Sequence, residues 1–475
     1  MANDDKRRDQ ILNGNLTKTI IAICAPIFLY NLFNSFYSLI DQVIVSKIDA
    51  TSVSAVATLN QIKNLLSSLG AGLAAGGGIV VARLFGAGDF DQARKNSNSI
   101  FALSLVIVGV MLIVCIPLSV PIMKLTGVPS ELIAIGTGYF IVCIIDLGFV
   151  FFNTVFIALQ KAKGSTKIIF YLNIMVMFIK LGFTVLFIYG FRVDNIVWAA
   201  IATLIGQMIL FIILFSIMIN KNNIFRLNTK EIRIKMEYIK PIIVLSIPIF
   251  LGKFIFSFGK VSVNAMCKSY GPLVVGALGV SNSLCGIVTS PVNSFEEGCS
   301  TIVSQNLGNR NMKRAFEAFK KSFIMACLIG AIGYILVRFI FQDQLINLFA
   351  QNKKADDVEE FLRLIKEINR FDSLSIIALA VNAGVLGVLY GFGQTKIAMV
   401  VNISRAFVFR IPVLWYLQTF HKEMGAEAAG ISMGISNIGI AIMSILFLLY
   451  FIHKIKKNGY NGMTFNQEKD FVEEA

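Results

Sequence analysis

Twelve apolar runs, each long enough to cross a hydrocarbon layer, divide this chain, and no other property constrains its fold so tightly. A helix needs about 20 apolar residues to span a bilayer core. Lipid offers backbone amides no partners, so each run must close its own hydrogen bonds as a helix. The runs cover 18–45, 53–80, 99–123, 131–160, 166–190, 195–219, 239–266, 274–302, 321–343, 369–391, 396–418 and 427–453. The 475 residues are 56% hydrophobic and only 15% charged, whereas soluble domains carry about a quarter charged residues. The expected class is an all-α membrane protein with twelve transmembrane helices. Pro26 and Pro248 fall early in runs 1 and 7, where a missing donor favours a bend.

The net charge of +15 invites a nucleic-acid partner, but its distribution argues against one. Counted together with the end residues of the runs, loops on the side of the termini hold 26 lysines and arginines, those on the other side ten, and the run interiors seven. That bias puts both termini in the cytoplasm and the chain, multi-pass, in the cytoplasmic membrane. The opening MANDDKRRDQILNGNLTKTI is too polar for a cleaved signal. Seven single cysteines without a CxxC pair read as small buried hydrophobes, and His421 and His453 make no metal motif.

The chain also repeats itself. At an offset of 222, residues 26–93 align without a gap to 248–315: Pro26-Ile27-Phe28-Leu29 matches Pro248-Ile249-Phe250-Leu251, and Asn60, Gly76, Gly86 and Ala93 match Asn282, Gly298, Gly308 and Ala315. At an offset of 229, Asn153 matches Asn382, and Gly164-Ser165-Thr166-Lys167 with Asn173 matches Gly393-Gln394-Thr395-Lys396 with Asn402. Six runs separate equivalents, so two six-helix lobes share one orientation, a transporter architecture with its site between or within the lobes. The expected division is an N-terminal lobe over 1–220, a linker over 221–236 and a C-terminal lobe with its tail over 237–475.

Charges and amides inside the runs mark the candidate site, because a mid-bilayer charge costs at least about 2.5–3.5 kcal/mol and faces the bundle interior. Asn31, Asn34, Ser38 and Asp41 fall on one helical face. A carboxylate there binds a proton or ligates sodium, making Asp41 the leading coupling residue. Lys253, Ser257, Lys260 and Asn264 form the equivalent stripe in run 7, with snorkelling as the alternative for a lysine near an end. Lys63 in run 2, Asn282 and Glu297 in run 8, and Asn153 and Asn173 complete the expected substrate cavity. Asp146, Asp372, Arg405 and Arg410 are open to simple pairing with neighbours. The glycine run at 70–78 lies inside a span and follows no strand, so it serves close helix packing, not a dinucleotide.

Three segments together resemble the multidrug and toxic compound extrusion family. They are Leu39-Ile40-Asp41-Gln42 in run 1, the loop Gly86-Ala87-Gly88-Asp89 after run 2 with its echo Gly308-Asn309, and the GxTK loops after runs 4 and 10. The resemblance implies two six-helix bundles, alternating access and antiport against protons or sodium. It aligns Lys180, Thr184 and Thr203 with polar residues that help the run-1 carboxylate hold the ion. A lysine at 180 departs from the family pattern: it either pairs with Asp41 as a built-in cation or snorkels elsewhere.

The leading expectation is an ion-coupled antiporter exporting small amphipathic molecules, acting as a monomer in the lipid bilayer, with no cofactor beyond the coupling proton or sodium. The alternatives are a flippase for a lipid-linked saccharide and an exporter of organic anions through a lysine-lined cavity. An enzyme is excluded: no HExxH occurs, and neither histidine lies near a nucleophile within a run.

Overall fold

The structure, a computed structural model, describes residues 2–45, 50–125, 130–187, 197–228, 232, 235–347 and 355–458; among these it is helical, with no strand. The N-terminal half contains α1 (Ala2–Asn13), α2 (Leu16–Val45), α3 (Ala50–Ala87), α4 (Phe90–Cys115), α5 (Ser119–Leu125), α6 (Ser130–Ala162), α7 (Thr166–Val185) and α8 (Val197–Ile219). The C-terminal half contains α9 (Met236–Cys267), α10 (Pro272–Gly308), α11 (Met312–Ile335), α12 (Gln342–Asn347), α13 (Ala355–Asp372), α14 (Ser375–Gly391), α15 (Thr395–Ser404), α16 (Ile411–Phe420) and α17 (Glu427–Asn458). Among the described residues eleven segments are long and apolar enough to cross a membrane, and α13 with α14, bent by 43°, makes a twelfth as one broken span.

The turns expected from the repeat recur as matched pairs. Gly88 at φ +83° precedes Asp89, whose Oδ1 accepts from the Gln92 amide at 3.0 Å and so caps α4. Arg310, 222 residues later, takes φ +57° before Asn311, whose Oδ1 accepts from the Arg314 amide at 3.0 Å and caps α11. Gly164 and Gly393 both adopt left-handed backbone, at +77° and +76°. These GAGD and GxTK loops are thus turns that stop one helix and start the next.

Pro26 and Pro248 lie within helices that continue past them. Three other spans depart from straight runs. Span 10 breaks after Asp372, whose carboxylate accepts from the Ser281 hydroxyl at 3.0 Å and the Ser375 hydroxyl at 3.3 Å. A short polar side chain bonding locally in this way competes with helix continuation. Spans 9 and 11 contain π-helical turns, Leu336–Ile340 and Arg405–Arg410.

Lipid tails are as apolar as leucine, so close packing, not hydrophobic burial, joins these helices. Small residues supply it. A Cβ at Gly72 would stand 2.6 Å from Phe250 Cβ, and one at Gly76 2.6 Å from the Ser246 amide, so α3 presses directly on α9. Inside the N-terminal lobe, the rings of Phe101, Phe152, Phe156, Phe211 and Phe215 pack with centroids 5.4 to 6.3 Å apart. Such ring pairs contribute about 0.5–1.5 kcal/mol each.

The lobes meet through contacts that obey the repeat. On the face carrying the termini, Arg83 Nη2 donates to the Gly391 carbonyl at 2.9 Å, while Gln305 Nε2 donates to the Ala162 carbonyl at 2.7 Å. Arg83 and Gln305 are 222 residues apart, and Ala162 and Gly391 are 229 apart. Gly86 packs on the Gln305 carbonyl and Gly308 on the Arg83 carbonyl. Gly76 abuts Ser246 as Gly298 abuts Cys24. This seam closes the terminal face of the molecule.

Helix α1 straps the seam from outside. Arg8 donates to the carbonyls of Phe85 and Gly86, and Arg7 to Ser165 Oγ, binding α1 to the N-terminal lobe. Lys163 donates to Asn223 Oδ1 at 3.1 Å and lies 3.9 Å from Asp4; burial holds its ammonium below the usual range, against the pull of Asp4. From the other lobe, Arg314 donates to the carbonyls of Ile11 and Gly14 at 2.5 to 3.2 Å. Hydrogen bonds to a charged donor contribute about 1.5–3 kcal/mol. Arg314→Ala is therefore expected to loosen α1 from the C-terminal lobe, raising deuterium uptake at 2–14 and 305–314 about tenfold or more. Unchanged uptake would show that the strap does not hold the seam.

Candidate functional site

Above the seam, two cavities lie between the lobes. The inner one, about 290 Å³, has an apolar wall from α3 and α6, including Ala75, Ile79 and Ala158. Tyr30, Asn31, Lys253, Glu296, Glu297 and Tyr390 give it a polar wall. Lys161 of the N-terminal lobe pairs with Glu297 of the C-terminal lobe, an ion pair across the seam. Asn31 Nδ2 donates to the Ser290 carbonyl at 3.2 Å, also across the lobes. The outer cavity, about 510 Å³, lies between α3 and α9 and shares Ala71 and Lys253 with the inner one. Lys253, Ser257, Lys260 and Asn264, the stripe expected from run 7, all line it, with Asn64, Ser67 and Asn402 opposite or beside them.

Several expected cavity residues sit elsewhere. Lys63 is not a cavity cation: its Nζ pairs with Asp146 Oδ2 at 2.5 Å, and Asp146 is 1% exposed within the N-terminal lobe. Asn153 turns to span 6, donating to the carbonyl and side-chain oxygen of Gln207 at 3.0 and 2.9 Å. Asn173 is buried and, like the exposed Asn282, donates back to its own helix, at 2.8 Å to Ile169 and 2.9 Å to Leu278. Asn34 and Ser38 are exposed on α2 and line neither cavity. The reason is rotational: a polar stripe fixes a helix face, while neighbouring helices decide what that face meets.

The side chain of Asp41 lies outside the described residues. Four residues before it, the Tyr37 ring lies 5.4 Å from Lys180 Nζ, and the stem of Lys180 packs over Gly206 of span 6. Lys180 therefore bridges spans 1, 5 and 6. Thr184 is buried and Thr203 half-buried in the same lobe.

Sequence reasoning missed a cationic cluster in the C-terminal lobe. Arg405, Lys260 and Arg410 surround the Phe256 ring, with Arg405 Cζ at 4.5 Å, Lys260 Nζ at 5.0 Å and Arg410 Cζ at 5.8 Å. In an α-helix, residues five apart diverge by about 140°. The π turn closes i to i+5 hydrogen bonds, which brings Arg405 and Arg410 onto one side. Both guanidiniums reach Asn437 Oδ1, at 2.7 and 3.1 Å, and Arg410 Nε also donates to Ser436 Oγ at 3.0 Å. The one available signal was the presence of two arginines inside an apolar run.

The MatE family model matches residues 26–186 and 248–416, one match in each half. A probable multidrug resistance protein, YoeA, of Bacillus subtilis (strain 168) is 20% identical over 443 residues, covering 91% of this chain and 93% of its own. The multidrug export protein MepA of Staphylococcus aureus (strain MRSA252) is 22% identical over 444 residues, covering 91% and 94%. A MATE protein crystallised in complex with MaL6 superposes with a TM-score of 0.87 at 18% identity, covering 94% of this chain and 99% of that one, a likeness of fold. With two matched halves, a seam that repeats between them and cavities between the lobes beyond it, the chain belongs to the MATE family of membrane transporters.

Proposed function

We propose that this transporter exports small amphipathic organic molecules across the cytoplasmic membrane by alternating access, driven by inward movement of a proton or sodium ion. The observation that carries this reading is the asymmetry of the two faces. A symmetric seam closes the terminal face, and both cavities lie between the lobes beyond it. On the charge distribution of the loops, that face is cytoplasmic. Likeness to a probable multidrug resistance protein and to a multidrug export protein supports the substrate class. Among the described residues the seam is held by glycine packing, side chain to carbonyl bonds and the Lys161–Glu297 ion pair, which a ligand preferring the other state by a few kcal/mol can reverse.

We assign coupling to Asp41, with Lys180, Thr184 and Thr203 as the residues that would help it hold the ion. An ammonium beside span 1 opposes a second resident cation, which favours a proton over sodium at this site. The membrane potential adds about 2.3 kcal/mol per inward charge per 100 mV. The test is transport in proteoliposomes under an imposed proton or sodium gradient, with ethidium and an aromatic anion as cargoes. Wild type is expected to move at least one cargo in a gradient-dependent way, and Asp41→Asn to lose about tenfold or more of that rate. Equal rates with and without gradients would remove the coupling; movement of neither cargo would remove the export reading. The flippase alternative would instead move only a lipid-linked headgroup.

A further inference from the structure

We propose that the outer cavity between the lobes binds the anionic head of an amphipathic substrate: a carboxylate, sulfonate or phosphate carried on an aromatic or aliphatic body. The proposal rests on the export reading and names its substrate class. Two cations, Lys253 and Lys260, face this cavity, and no carboxylate is among the described residues lining it. Behind its Phe256 wall stand Arg405 and Arg410. None of the four forms an ion pair among the described residues. Arg410, 2% exposed, finds its hydrogen-bond acceptors among the described residues in the neutral oxygens of Ser436 and Asn437.

Two carboxylates act on these cations through space, Asp372 on Lys260, Arg405 and Arg410 and Glu296 on Lys253, but among the described residues neither comes within ion-pair distance of them, and two negative charges do not balance four positive ones. Asp372 also accepts from the Ser281 and Ser375 hydroxyls. An excess of one sign of charge inside a membrane protein is costly. A substrate anion entering the cavity removes that cost. Phe256 is gripped by cations, which attract its π face, and with Val261 it offers the body an apolar surface. Ser257, Asn264 and Asn402 add neutral polar groups around the head.

The test uses the full chain in phosphatidylcholine nanodiscs, with 1-pyrenesulfonate as the anionic probe, ethidium as the cationic one and empty discs as blank. Wild type is expected to bind the sulfonate saturably. Lys253→Gln/Lys260→Gln should weaken it about tenfold or more, while Lys260→Arg retains it and ethidium binding does not fall. Circular dichroism and gel filtration confirm that the variants are folded. Equal sulfonate affinity in the double variant, or wild-type binding of ethidium alone, overturns the proposal. An anionic head could also come from lipid. Competition by phosphatidylglycerol in the discs assigns the site to a lipid headgroup, and unchanged affinity assigns it to soluble anions; both keep the anion site. Proteoliposome transport separates the two levels. Ethidium moved without sulfonate binding sinks the anion site alone, whereas sulfonate bound with neither probe moved sinks the export reading alone.

Discussion

Gly308→Ala is expected to abolish the closed terminal face. A methyl group at 308 would stand 2.0 Å from the Arg83 carbonyl oxygen, a backbone atom that no rotamer change can clear. Overpacking against movable side chains already costs about 1–3 kcal/mol. Here a whole helix must shift, so a cost of at least about 3 kcal/mol falls on the closed state and none on the open one. Each 1.4 kcal/mol is about tenfold, giving a change of roughly a hundredfold or more in the closed-to-open ratio. Transport should collapse while each lobe remains folded. A maleimide-reactive cysteine introduced at Ser304, buried in the seam, should become labelled from the terminal side. Gly86→Ala, 2.1 Å from the Gln305 carbonyl, should behave alike because the repeat makes it the same contact. Gly279→Ala, in the same helix with nothing within 4 Å, is the control. Normal transport in Gly308→Ala would show that the seam opens and closes along a different path.

The second large effect concerns Lys63 and Asp146. Removing one partner of a buried ion pair costs about 3–5 kcal/mol, because the other charge is left uncompensated. Asp146 has a further reason to suffer, since its Oδ1 already has no hydrogen-bond partner among the described residues. Lys63→Met should therefore lower resistance to denaturant sharply. Lys63→Met with Asp146→Leu, which removes both charges and keeps the volume, should recover most of it. Transport by the double variant distinguishes the roles. Retained activity fits a pair that joins α3 to α6; lost activity in a stable double variant would return Lys63 to the transport machinery.

These experiments trace a division visible in particular residues. The spans were legible because the bilayer forces long apolar helices, and that requirement is written residue by residue. The turns were legible for a similar reason: left-handed glycines and a capping Asp89 act within a few residues of themselves. The repeat was readable too, and it anticipated that Arg83 and Gln305, or Gly86 and Gly308, would occupy equivalent places. That equivalents would touch each other's partners across a seam was not readable, since contact requires knowing how the lobes dock.

The polar stripes show the same limit. Spacing placed Lys253, Ser257, Lys260 and Asn264 on one face, and that face lines the outer cavity. The same reasoning expected Lys63 and Asn153 in a cavity, where the structure turns them to Asp146 and Gln207. Helical periodicity fixes which residues share a face; only the packing of the other helices decides whether it meets a cavity, a counter-charge or lipid. Likewise the bend after Asp372 and the π turn uniting Arg405 with Arg410 depend on partners 26 to 91 residues away. The sequence by itself determined the membrane, the twelve spans, the twofold repeat and the family. The tertiary structure alone decided which charges cancel one another and which stay in a cavity unneutralised, because electrostatic pairing depends on distance in space, which span spacing does not encode.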